Sequence, residues 1–74
     1  MSTLQELRIR RLWSQRELAR RANVAERTIV NVETGQRRPR LLTMQRIADA
    51  LEVHWTEIDE FRAAAEDLEE KAAA

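Results

Sequence analysis

Cysteine is absent, so neither a disulfide nor a thiolate metal site reinforces the core, and the single histidine, His54, is too little for a zinc site alone. Glycine and proline each occur once, as Gly35 and Pro39, which leaves little material for hairpin turns. The aromatics are limited to Trp13, Trp55 and Phe61. No apolar run approaches the length of a membrane span, and the N-terminus lacks the apolar stretch of a signal peptide. With no export signal and no cysteine, the expected compartment is the cytoplasm. A chain of 74 residues allows one domain with a thin core, burying roughly 60% of its unfolded surface. No nucleophile–base pair, phosphate-cradling glycine loop or carboxylate–histidine cluster is present, so neither enzyme activity nor a cofactor is expected.

Net charge is also missing: 13 Lys and Arg balance 13 Asp and Glu. That zero hides an asymmetry. Residues 1–46 hold eleven arginines against four acids (Glu6, Glu17, Glu26 and Glu33), a balance of +7. Residues 47–74 hold Arg62 and Lys71 against nine acids, a balance of −7. Such a split between halves points to contact with nucleic acid, which the whole-chain value conceals.

The apolar residues recur three and four apart, and no convincing period-two strand is found. Leu4, Leu7 and Leu12 suggest a first helix, opened by Ser2 or Thr3 with Gln5 or Glu6 closing a capping box. Ser14 to Glu17 forms a clearer capping box, opening a second helix with Leu18, Ala19 and Ala22 inside. Asn23 suits the left-handed conformation that ends a helix. A third helix is expected from about Ala25 to Thr34, stopped by Gly35. Residues 36–40 form a basic loop, because Pro39 disfavours helix at Arg38. Leu41, Met44, Ile47, Ala48 and Leu51 define a fourth helix. A fifth is expected to start near Trp55 and to reach Lys71 or beyond.

The second and third helices are joined so tightly that they must cross at a steep angle. At about 100° per residue, the third helix divides into two arcs. Glu26, Arg27, Val30, Asn31 and Thr34 share one; Thr28, Ile29, Val32 and Glu33 share the other. The first arc carries groups that hydrogen-bond planar partners, where a plain surface helix would carry Lys/Glu pairs four apart.

The ordered set Leu7-Arg8, Trp13 to Ala19, Asn23-Val24, Thr28-Ile29, Val32 to Gly35, Arg38-Pro39 and Ile47 to Leu51 resembles the Xre-type helix-turn-helix family. That family includes the small repressor and Cro proteins of lambdoid phages. The resemblance covers about residues 4–61. It implies an all-α, compact five-helix, lambda-repressor-like helix-turn-helix domain at 1–62; beyond it, residues 63–74 are expected to form an acidic C-terminal helix extension. It further implies a sequence-specific DNA-binding transcriptional regulator, a repressor, found in the cytoplasm as a bacterial or phage protein. Departures are visible. Leu12, Asn23 and Glu52 stand where the family often has glycine, and Ala25 where it usually has a Ser or Thr N-cap. Losing that cap costs about 1 kcal/mol.

By resemblance, base readout falls on Glu26, Arg27, Val30 and Asn31. The chemistry suits it: Arg forks onto guanine O6 and N7, Asn onto adenine, and Glu accepts from cytosine N4, while Val meets a thymine methyl. Phosphate contacts are expected at Gln15 and Arg16, in the first turn of the second helix, and at Arg37, Arg38 and Arg40 in the basic loop. Thr28 is counted with them. The family's Gln also braces a recognition-helix side chain. Arg8 and Glu33 match a family ion pair joining the first and third helices, a structural role, since a lone inward carboxylate is costly to bury. Trp13 stands at a core position of the family, and His54 where a Ser often caps the fifth helix. Arg10, Arg11, Arg20 and Arg21 are left unassigned.

Ile58, Phe61, Ala65, Leu68 and Ala72 follow a heptad-like spacing. Ile58 and Phe61 are expected to close the domain core. Ala65, Leu68 and Ala72 remain as a thin seam for a homodimer, or as part of a solvated, fraying helix. Double-stranded DNA and a second copy are the expected partners, with a protein partner on the acidic helix as a further option; no membrane contact is expected. Two alternatives stand beside the repressor: an antitoxin-type autoregulator that also binds a protein, and an interaction module of the same fold that has lost DNA readout.

Overall fold

The computed structural model describes residues 2–73, with side chains for residues 2–68. It is all-helical: α1 (Leu4–Arg10), α2 (Gln15–Ala22), α3 (Glu26–Thr34), α4 (Leu41–Leu51) and α5 (Asp59–Ala73), with a 3-10 turn at Trp55–Glu57. α1 opens on a complete capping box. The Thr3 hydroxyl accepts from the Glu6 N–H at 3.2 Å, and the Glu6 carboxylate accepts from the Thr3 N–H at 2.9 Å. α2 has half of one. Ser14 Oγ accepts from the Glu17 N–H at 3.0 Å, but the Glu17 carboxylate turns to Arg20 and Arg21 instead of back to Ser14. The expected reciprocal box at Ser14 is thereby corrected: two guanidiniums outcompete one backbone N–H for the anion.

Three helix ends turn on a left-handed residue that is not glycine: Leu12 (φ 60°) after α1, Asn23 (φ 58°) after α2 and Glu52 (φ 57°) after α4. These are the positions where the family often has glycine, and the backbone keeps the glycine conformation without the glycine. Leu12 therefore lies outside α1, which ends at Arg10, and its side chain is 91% exposed. This corrects its expected place on the helix face. Gly35 ends α3 at φ 73°, and a Cβ there would meet nothing within 4 Å, so conformation rather than space calls for glycine.

Leu4, Leu18, Ile29, Ile47, Leu51, Ile58 and Phe61 are fully buried, so every α-helix contributes apolar surface, with Ile58 at the mouth of α5. Burial stabilises each such side chain by about 1.5–3 kcal/mol. Ile58 and Phe61 close the core as expected, but the fifth helix starts later than Trp55. Ile58 is extended (φ −101°, ψ 114°) and forms a parallel bridge with Ser2. Ser2 donates to the Glu57 carbonyl at 3.1 Å and accepts from the Asp59 N–H at 2.9 Å. Those backbone groups are occupied before α5 begins, which delays its start. The Glu60 carboxylate then accepts from the Leu4 N–H at 2.9 Å, so α5 caps α1. α5 continues unbroken past Arg62, and Ala64, rather than Ala65, is its next core residue.

Candidate nucleic-acid interface

The turn between α2 and α3 comprises Asn23, Val24 and Ala25. The N–H of left-handed Asn23 and that of Val24 satisfy the last carbonyls of α2, at Arg20 and Ala19. Ala25 then adopts an N-cap backbone (φ −69°, ψ 146°) with no side-chain cap bond. The turn fixes α3 across α2, and the two arcs of α3 separate by burial. Ile29 and Val32 are buried, Val30 and Asn31 are half-buried, and Glu26, Arg27 and Thr34 are exposed. Thr28 is half-buried at the edge.

One polar cluster holds α3 from behind. Arg8 Nε meets Glu33 Oε2 at 2.7 Å, and its Nη2 meets Oε1 at 3.2 Å. The remaining Arg8 nitrogen donates to the Trp13 carbonyl at 2.8 Å. Both side chains are almost fully buried. The Gln15 amide donates to Glu33 Oε1 at 3.0 Å, so the first turn of α2 grips the same carboxylate. A bidentate guanidinium and an amide thus satisfy an otherwise costly buried anion, and their removal would leave it uncompensated.

The basic loop lies beside the outward face of α3. Arg27, Val30, Asn31 and Arg37 line one open groove of about 610 Å³. Thr28, Asn31, Arg37, Arg38 and Arg40 line a second, smaller one of about 170 Å³. Side chains from α3 and from the loop are therefore contiguous, although up to twelve positions separate them, as between Thr28 and Arg40. Gln15 and Arg16 stand at the α2 N-terminus, Arg16 exposed and Gln15 half-buried by its bond to Glu33.

Other arginines have structural partners, some at helical spacing and one across the fold. Arg11 donates to the Leu51 carbonyl at 2.7 Å, closing the C-terminus of α4. Arg20 and Arg21 pair with Glu17, whose carboxyl is held below its usual range, chiefly by the Arg20 hydrogen bond. The guanidiniums of Arg11 and Arg21 lie over the Trp13 ring, 5.2 and 4.4 Å from its centroid. Trp13 itself packs partly buried against the core. His54 caps the 3-10 turn rather than α5, with Nδ1 accepting from the Thr56 N–H at 3.3 Å. Arg38 pairs with Asp67 of α5, so the acidic helix is not turned wholly away from the basic loop, as the charge split alone would suggest.

A short α2, a tight turn and an α3 presented outward on a braced back face define a helix-turn-helix protein of the type that lays a helix against DNA. A helix-turn-helix family model matches residues 4–58, and the chain belongs to that family, of the Xre and lambda-repressor type, whose members are DNA-binding regulators. No curated protein and no solved structure matches the chain. Among the described residues, no helix is long and apolar enough to cross a membrane.

Proposed function

We propose that the chain is a sequence-specific transcriptional regulator, a repressor, that places α3 in the major groove of a pseudo-palindromic operator as a homodimer. The observation that carries this reading is the division of α3. Its inner arc is fixed by Ile29, Val32 and the Arg8–Glu33–Gln15 cluster, while Glu26, Arg27, Val30 and Asn31 face outward. A helix anchored in this way presents its donors and acceptors in fixed positions, which base discrimination requires. Arg27 and Asn31 supply bidentate groups for guanine and adenine, Glu26 an acceptor for cytosine, and Val30 a methyl contact for thymine. Gln15 and Arg16 on one side, and Thr28, Arg37, Arg38 and Arg40 on the other, hold phosphates and set the register. Gln15 keeps a second amide N–H for this while bracing Glu33. Occupying the operator suffices for repression.

One feature favours the second reading, an antitoxin-type autoregulator with a protein partner on α5. A groove of about 500 Å³ between α4 and α5 is lined by Leu41, Val53, Trp55 and Ala65 among others. An interaction module without DNA readout leaves the outward Arg27 and Asn31 without a purpose.

Selection from random oligonucleotides, followed by binding titrations, tests the DNA reading. Arg27→Ala is expected to relax preference at one base pair, costing about 1–3 kcal/mol. Arg37→Ala is expected to weaken all sequences alike and to reduce the salt slope by about 1. If both variants bind operator and random duplex as the parent does, the docking is wrong.

A further inference from the structure

The basic loop and the acidic helix meet. Arg38 Nη1 forms an ion pair with Asp67 Oδ2, and the surrounding cleft of about 220 Å³ is lined by loop residues on one side and by Glu60, Ala63 and Ala64 of α5 on the other. Neither partner drifts freely into this contact. Ala64, one turn before Asp67, is only 5% exposed, so the core fixes that face of α5. Gly35 in its left-handed conformation and Pro39 set the path of the loop.

We propose that Asp67 is a built-in competitor for the phosphate backbone: it holds the Arg38 guanidinium in the free chain, and DNA must displace it. This rests on the reading of the basic loop as a phosphate site. Carboxylate and phosphate both offer paired oxygens that match the guanidinium fork, so the same nitrogens serve either partner. The Arg38 side chain is 67% exposed and that of Asp67 34%, so the pair opens to solvent on the arginine side and its release costs little. The contact tunes affinity; it does not lock the domain. Its effect is largest where phosphate contacts supply most of the binding, on non-specific duplex at low salt. Added salt screens both the pair and the DNA contact, so the competitor flattens the salt dependence of the parent.

Fluorescence anisotropy with a labelled non-specific duplex, over a salt series, tests this on the full chain. Asp67→Asn is expected to tighten binding about two- to fivefold at about 50 mM salt, with a steeper salt slope and a gap that closes as salt rises. Glu66→Gln removes the same charge from the neighbouring position and is expected to change binding far less. In an Arg38→Ala background, Asp67→Asn is expected to have no effect. Equal tightening by Asp67→Asn and Glu66→Gln would reduce the effect to general charge and overturn the competitor. So would an Asp67→Asn variant that binds like the parent while Arg38→Ala weakens binding, and in that case the phosphate reading stands. If Arg38→Ala leaves binding unchanged, the loop reading fails at Arg38 and the competitor fails with it.

Discussion

Ala25 has the backbone of an N-cap and lacks the oxygen of one. Its φ and ψ (−69°, 146°) match those of Thr3 and Ser14, whose hydroxyls each accept a backbone N–H. Ala25→Ser therefore needs no backbone change, and its hydroxyl is in place to accept from the first turn of α3. The expected gain is about 1 kcal/mol, seen as a melting midpoint raised by about 4–8 °C in a domain of this size. Circular dichroism melts of parent and variant measure it, and an unchanged or lower midpoint would refute it. The missing cap was legible in the sequence because a type of residue, not a contact, was wanting. The same holds at Asn23, a residue type suited to left-handed backbone, whereas Glu52 was noted only as standing where the family often has glycine. Leu12 misled for a related reason. Spacing counts an apolar side chain without regard to the sign of φ, and at +60° this leucine leaves the helix for solvent. Left-handed backbone costs a side chain of this kind about 1–2 kcal/mol, which the αL turn between α1 and α2 must offset elsewhere.

At the scale of the element, α2 shows how local charge replaces a local cap. Glu17 lies three and four residues before Arg20 and Arg21, and both guanidiniums reach its carboxylate. Its pKa is held below the usual glutamate range, first by the Arg20 hydrogen bond, and then by Arg21. In α1 the Thr3 backbone N–H acts in the same sense on Glu6. A depressed folded pKa means that the unfolded chain takes up the proton first. The stabilisation is therefore complete above the unfolded pKa and is lost as pH falls through the folded one. Glu17→Gln is expected to flatten the loss of stability as pH falls through and below the usual glutamate range, more at low than at high salt, since the group is partly exposed. Denaturant midpoints against pH would show this; a parental slope in the variant would exclude Glu17 as a contributor. Helix faces and ends follow from three- and four-residue spacing, which is why α2, α3 and α4 were legible. The start of α5 was not, because Ser2 and Ile58 pair across most of the chain. The Glu60–Leu4, Arg11–Leu51 and Arg38–Asp67 contacts were hidden for the same reason. Of the interface, residue types and arcs could be read; that the loop stands next to α3 could not.

Across the whole molecule, a single α3 faces outward, and one module of this size makes few contacts with one half-site, so pairing decides how well an operator is held. The exposed apolar surface that the proposed homodimer would use lies around α5. Ala64 belongs to the core, whereas Leu68, four residues on, is 44% exposed, and Ala65 lines the α4–α5 groove with exposed Leu41 and Trp55. Ala72, the last position of the expected seam, lies outside the residues whose side chains are described. Truncation after Arg62 is a poor probe of this surface, because it deletes Ala64 from the core and Asp67 from the Arg38 pair. Leu68→Glu leaves both in place. It puts a charge where a dimer would have to desolvate it, and costs the monomer little, since the position is already half in water. The expected outcome is a shift toward monomer in sedimentation velocity at matched concentration, with an unchanged melting midpoint. On a palindromic duplex, the two copies are expected to bind with less cooperativity than the parent. Equal sedimentation of parent and variant would remove Leu68 from the interface. If the cooperativity fell nonetheless, pairing would occur only on DNA, where the two half-sites bring the α5 helices together at high local concentration.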